Sequence, residues 1–369
     1  MVESAGLEAA VMTLADHPRL AAAPPAPAPP AAPPAPTLSR SGRPSRRHRI
    51  SRLLLRRTGT SLITLLLVSA GIFAVAALSP IDPLTAHLGD NYQSATQAQR
   101  DAARAAYGLD QSWWQSWAHW WTNLLHGDLG WSTTQHQPVS TVLAERLPFT
   151  LGLSAAALAA AALLSLALGT WAGLRAGRVP DRAVSGGVTV LAATPPFVLS
   201  LLLVAVFAVA GAWFPTAGAA TPGLEAGGTD LLWHAVLPWA ALTVSQLPWL
   251  TLTVRTAVAD AAGTDPVTAA RARGISGRRL LVGHVWPAAA GPSLALLGTR
   301  LPEVIAGAAI VEAVFGWPGV ADALVTAATG ADFPLLATLA MAAAGFVLAG
   351  SALSDAAAVA LDPQADLTA

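Results

Sequence analysis

Charged side chains are scarce in this chain, so the few that interrupt its apolar runs mark where chemistry could occur. Arg300 and Glu303 stand three residues apart inside one such run, a spacing that puts both on one helical face, where they can pair. An ionisable pair at membrane depth is costly and by default faces a bundle interior or a wet cavity. Two roles fit it: lining a pathway, where it would meet a charged end of a solute, or a structural ion pair at a subunit interface. A second cluster, Arg271, Arg273, Arg278 and Arg279, lies in the stretch from Asp265 to Pro292, between two apolar runs. Asp265 can cap a short helix there, with Pro266 at its first position. Gly274 can end that helix in the left-handed conformation other residues resist, letting Ile275 fold back onto it. The plainer reading of these charges is a basic loop that only fixes topology.

Other chemistries find no support. His87, His119, His126 and His136 are irregularly spaced, without the pattern of a metal site, and no metal is expected. There is no cysteine, which excludes disulfides and thiolate centres. No Gly-x-x-x-x-Gly-Lys-Ser/Thr loop is present to cradle phosphates, and neither Gly-x-Ser-x-Gly nor His-Glu-x-x-His occurs. The chain is therefore expected to bind no cofactor and to be no enzyme.

The elements that must position these residues are membrane spans. The 369 residues are 54% hydrophobic and 11% charged, with mean hydropathy +0.52, whereas soluble domains carry about 25% charged residues. Formal net charge is zero, so no nucleic-acid partner is indicated; charge informs only by position. Six apolar runs are long enough to cross a hydrocarbon layer of about 30 Å: Ser61–Leu78, Phe149–Leu174, Ala183–Ala210, Leu231–Val254, Ala288–Val314 and Leu335–Leu361. The expected fold is an all-α polytopic membrane protein of six transmembrane helices. Arginine crowds Arg40–Arg57, Arg175–Arg182 and Arg255–Arg279 but is sparse in the other connections, so the positive-inside rule places both termini and the Asp265–Pro292 loop in the cytoplasm.

Residues 1–57 read as a tail, Ala/Pro-rich and disordered, then basic. Ala74-Val75-Ala76 imitates a signal-peptide cleavage site, but the run before it exceeds the usual length, and 58–79 is expected to remain as the first span. An external loop follows over 80–147. Within it Trp113, Trp114, Trp117, Trp120 and Trp121 recur at helical spacing, as an interfacial belt or as a surface for stacking sugars or peptides. Thr194-Pro195-Pro196-Phe197 should kink the third span, and Pro238 and Pro248 the fourth. Residues 148–363 form the core, with the basic loop at 257–286, and 364–369 a short cytoplasmic end.

The order of local motifs resembles a known family. Ala270-Arg271-Ala272-Arg273-Gly274, followed by Arg278, Arg279, His284 and Pro287, is similar to the cytoplasmic coupling loop (EAA loop) of ABC-importer permeases of the dipeptide/oligopeptide/nickel family. GLDQ at Gly108–Gln111, HGDLG with Gly127, Asp128 and Gly130, Ser132, and Arg146-Leu147-Pro148 fall where that family has them. So do Glu312 to Gly319, with Trp317, Pro318 and Gly319, then Asp332-Phe333-Pro334 and the terminal Leu361-Asp362-Pro363. Ile81 replaces a glycine of the pattern, Thr268 its acidic residue, and Pro266 and Ala269 bulkier or polar ones. The long external loop is like that of the first permease of the pair.

The resemblance implies half of the translocation pathway of a peptide importer, coupled through Asp265 and the basic loop to the ATPase. It further implies a second permease subunit, two ATPase subunits carrying ATP and Mg, an extracytoplasmic substrate-binding protein, and contact with membrane lipid. Glu312 joins Arg300 and Glu303 as a pathway or interface candidate. A nickel or other small-ligand permease of the same family is the alternative, and an ATP-independent carrier a more distant one, against which the lack of inverted repeats argues.

Overall fold

The computed structural model describes residues 46–79, 82, 84–89, 91–106, 110–223 and 228–361. The Ala/Pro-rich tail, Pro80, Ile81, Pro83, Gly108, Asp362 and Pro363 lie outside the described residues. Four helices are long and apolar enough to cross a membrane, and two bent helix pairs raise the number to six if each pair is one span. The four are contained in α1 (Arg46–Leu78), α6 (Val139–Gly173), α9 (Gly228–Ala262) and α15 (Phe333–Leu361). The basic block Arg46–Arg57, expected as part of the tail, is instead the first turns of α1, a stretch without proline.

Before α6 come α2 (Leu84–Leu88), α3 (Asn91–Ser94), α4 (Gln97–Ala106) and α5 (Trp113–Leu125). A short antiparallel ribbon follows, β1 (Trp131–Ser132) with β2 (Gln137–Pro138). Three tryptophans of α5 make contacts to α1 and to one another that their spacing alone does not show. The indole N–H groups of Trp117 and Trp121 both donate to Ser69 Oγ on α1, at 3.0 and 3.1 Å. Trp120 packs on Phe73 and stands edge-on to Trp121. Trp113 and Trp114 remain exposed.

Two apolar runs depart from the single helices expected. Residues Ala183–Ala210 divide into α7 (Val179–Ala192) and α8 (Pro196–Leu203), the latter continuing in π-helical turns to Ala210, with a bend of 100° between them. Two adjacent prolines break the run more sharply than a kink, because a residue before proline is pushed out of the helical region and each proline lacks a donor. Pro238 and Pro248, isolated from one another, stay inside a continuous α9. The fifth run becomes α12 (Trp286–Thr299) and α13 (Leu301–Phe315), joined at Arg300, just ahead of Pro302. The stretch Phe315–Pro334, expected as a loop, holds α14 (Val320–Thr329), set at 80° to α13.

The centre of the fold is α6 against α9. A Cβ on Gly169 would lie 2.8 Å from Val254, and one on Gly173 would lie 2.6 Å from the Arg255 carbonyl. These glycines, four apart, let the two backbones approach as small residues do in membrane helix pairs. Thr251 Oγ1 donates to Ser165 Oγ across the same seam at 3.0 Å. Outside the spans, Asp82 gathers the external segment: Leu84 N–H, Tyr92 O–H and Arg104 Nη2 all donate to its carboxylate, at 3.0, 2.9 and 2.5 Å. Burial pushes the Asp82 carboxyl up, but these bonds outweigh burial and hold it below the usual carboxylate range.

Gly173→Val should drive the α6–α9 seam apart at a cost of about 1–3 kcal/mol, seen as a lower detergent melting temperature by size-exclusion fluorescence; an unchanged melting curve would refute the close approach. Because the folded pKa of Asp82 is depressed, its contribution is full at neutral pH and lost as pH falls below about 4. Limited proteolysis between Leu84 and Ala106 should therefore accelerate in acid, and Asp82→Asn should show that rate already at pH 7.

Candidate functional site

The basic loop is built on the end of α9. That helix runs on to Ala262, past the expected end of its span, and α10 (Asp265–Ala272) starts after one turn. The N-cap is Thr264 rather than Asp265, which takes the first helical position ahead of Pro266. Extended backbone at Thr264 and helical backbone at Asp265 put the boundary one residue earlier than expected, and the Thr264 hydroxyl is turned back to the Ala261 carbonyl at 2.8 Å. Asp265 still contributes charge in the first turn, where the helix dipole favours it. At the other end Gly274 adopts φ +83°. Its N–H reaches Arg271 O at 2.9 Å, and the Ile275 N–H closes back on Ala270 O at 3.1 Å. A left-handed glycine with that six-to-one bond is how a helix ends when the chain must reverse.

The loop then enters α11 (Gly277–Leu280), a π-helical stretch Leu281–Val285, and α12. Its faces separate cleanly. Val267 and Ala270 are buried, with Ala270 at 0% exposure, against Val254, Val258, Ala261, Leu280, Val285 and Ala289, with Ile275 packed on the edge. Ala270 is thus an anchor and not a contact surface. Ala272, Arg271, Arg273, Gly274, Arg278 and Arg279 are exposed, as is Pro287 at the start of α12. Arg271 Nη1 donates to the Ala262 carbonyl at 3.0 Å, tying α10 to α9. His284 is half-buried in the π-helical stretch, its Nδ1 enclosed without a partner among the described residues.

One side chain pair underpins this platform and carries no local sequence signal. Arg255 donates from Nε and Nη2 to the two oxygens of Asp181, at 2.7 and 2.5 Å, across 74 positions. The Gly177 N–H and Ser185 hydroxyl donate to the same carboxylate at 2.7 and 3.3 Å. Bidentate pairing fixes orientation as well as charge. It locks the start of α7 to the last two turns of α9, ahead of the basic loop.

The external motif residues form a scaffold. Gly127 and Gly130 both adopt φ +82°, and Asp128 Oδ1 accepts the Gly130 N–H at 2.8 Å, shaping the turn into β1. Asp332 Oδ2 accepts from Ser132 Oγ, Thr134 N and Thr134 Oγ1 at 2.6, 3.0 and 2.9 Å, so the ribbon is fastened to the start of α15. Glu312, expected on the pathway or an interface, is instead buried inside the chain. Thr150 Oγ1 donates to its Oε1 at 2.5 Å and the Ala321 N–H to its Oε2 at 2.8 Å, so the carboxylate caps the first turn of α14. Gly316 turns the chain at φ +57°, Trp317 packs edge-on to Phe149, and Pro318 leads into Gly319. A Cβ at Gly319 would collide with the Glu312 carboxyl group, which explains the glycine.

Arg300 and Glu303 do pair. They do so at the α12–α13 join, with Arg300 Cζ 5.0 Å from the Trp249 ring centroid on α9. Among the described residues no three metal-capable side chains gather.

The family described as binding-protein-dependent transport system inner membrane component matches residues 165–366, and its N-terminal companion matches 50–154. The chain belongs to that family. It is a multi-pass membrane permease subunit of an ABC transporter, not an enzyme, and it works with a separate ATPase and a substrate-binding protein. A Brucella ovis protein named as a peptide permease is 30% identical over 82% of this chain and 95% of its own. The oligopeptide transport system permease protein AppB of Bacillus subtilis is 29% identical over 84% and 98%. A methionine ABC transporter solved in an inward facing conformation aligns at TM-score 0.49 and 16% identity, over 60% of the permease and 97% of that chain.

Asp181→Asn should remove half of the Arg255 clasp. The permease should then insert normally but drive transport several-fold more slowly; normal rates would show that the clasp does not support the loop.

Proposed function

We propose that this permease forms half of the translocation pathway of a peptide importer, and that the loop around α10 couples it to the ATPase. What carries this reading is the two-faced loop: an apolar underside seated on α9 and α12, and an exposed face bearing Arg271, Arg273, Arg278 and Arg279. A segment so seated transmits a push on its exposed face to the spans at both its ends. Closure of two ATPase subunits on ATP and Mg moves the docked α10, and α9 and α12 tilt with it. Arginines suit a groove carrying acidic or carbonyl groups, which they meet with several donors each. The peptide assignment rests on the names of the relatives, both of which span most of this chain.

In this arrangement the basic loop and both termini are cytoplasmic, a reading the arginine distribution supports. A second permease subunit completes the pathway, and an extracytoplasmic binding protein delivers the solute.

Deleting the gene should abolish uptake of labelled di- and oligopeptides, and the wild-type gene should restore it. Gly274→Val, which forces a branched side chain to φ +83° at about 1–2 kcal/mol, should leave the protein inserted and bring peptide uptake below about a tenth of wild type. Retained uptake by the valine variant would sink the coupling role. Loss of nickel uptake alone in the deletion strain would sink the peptide assignment.

A further inference from the structure

The Arg300–Glu303 pair sits where a charge is least expected. Helix α12 has 14 residues and α13 has 15, with Arg300 between them; at 1.5 Å per residue the pair is roughly 20 Å from either end, well inside the apolar run Ala288–Val314. The two side chains are unlike in access. Arg300 is 13% exposed, stacked on Trp249 and bound to Glu303, and its Nε is enclosed. Glu303 is 53% exposed, with Arg300 on Oε2 only, and Trp249 beneath the guanidinium is 51% exposed. A half-open carboxylate at this depth does not face acyl chains, because the cost of a charge in hydrocarbon is too high.

The surroundings are polar and irregular. The helix is interrupted at Arg300, and a break at membrane depth belongs where backbone is covered by protein or borders a wet cavity. Gln246 lies on the facing stretch of α9, its Nε2 4.0 Å from where a Cβ on Gly307 would be, one turn beyond Glu303. Its Oε1 is buried without a partner among the described residues, and its amide touches Ser245 Oγ at 3.2 Å.

We propose that Glu303, oriented by Arg300, is a station of the pathway that receives the ammonium group of the passing solute. The sign follows from access: the carboxylate is open and the guanidinium is sealed. A carboxylate with one oxygen left free accepts hydrogen bonds from an ammonium group. This rests on the peptide-importer reading, in which the ammonium is the free amino terminus. Arg300 is then a positioning residue that holds one carboxylate oxygen and leaves the other free.

The sequence has no cysteine, so a single Glu303→Cys in the assembled transporter is a clean probe. In membrane vesicles the introduced thiol should react with water-soluble methanethiosulfonates at least ten-fold faster than that of Leu163→Cys, an exposed apolar position on α6. With Arg300 released, the anionic reagent should outpace the cationic one, and adding Arg300→Gln should remove that preference. Transported peptide should slow the labelling. Separately, Glu303→Gln should lower peptide uptake about ten-fold with assembly intact, and Glu303→Asp should recover most of it. No reaction with any thiol reagent would make the pair an interface contact, and reaction only with a lipid-soluble maleimide would make it lipid-facing; either overturns the proposal. Normal uptake by Glu303→Gln overturns the ammonium role. A water-accessible thiol at position 303 that no peptide protects, in a strain whose peptide uptake does not depend on this gene, would instead refute the peptide assignment.

Discussion

Everything in this fold leans on the seam between α6 and α9. Two glycines four residues apart remove the side chains that would hold the helices apart, and the gap is closed by Val254, Val258 and the Arg255 carbonyl. In a bilayer no hydrophobic force drives such an approach, since lipid tails are as apolar as the helices; packing and interhelical hydrogen bonds must supply it. The Asp181–Arg255 clasp lies within this seam, two turns before α9 gives way to the basic loop. Helix contact and loop position are thus one arrangement.

From the clasp a chain of rigid connections can be followed. Arg271 returns to the Ala262 carbonyl, Ala270 fills the space under α10, and Ile275 closes the reversal at Gly274. At the opposite face of the protein Glu312 and Asp332 play comparable parts. Each is a buried carboxylate with one oxygen taken by a donor from a distant segment, 162 and 200 positions away, and the other by a nearby backbone N–H. Buried acceptors satisfied in this way make the turns between spans as well defined as the spans themselves.

The spans α1, α6, α9 and α15 were legible as apolar runs, and α10 was legible from its proline, arginines and terminal glycine, to within one residue at its cap. Local signals sufficed there because helix periodicity and capping are short-range. The Pro195–Pro196 break was visible in place but not in size, since a proline pair fixes that a helix stops and not the angle at which the next begins. The join at Arg300 and helix α14 were not legible, because hydropathy alone merges one and passes over the other. Gly169 and Gly173 could have been found as a small-residue pair in an apolar helix. Asp181 with Arg255, Thr150 with Glu312, and Ser132 with Asp332 could not, as each pair is created only by the packing of remote segments. The role of Glu312 is misread from sequence for that reason: there it is a lone acid in an apolar run, and its two donors lie elsewhere.

The adjacent prolines between α7 and α8 carry a mechanical consequence. In an unbroken helix the carbonyls of Leu191 and Ala192 would receive the N–H groups of residues 195 and 196, and proline offers neither. The two prolines thus remove two of the hydrogen bonds that would hold a straight helix through this point, where the chain bends by 100°. A break of this kind sets the directions of α7 and α8 independently, so each follows its own packing partners: α7 lies against α6 and α9, and α8 against α9 and α13.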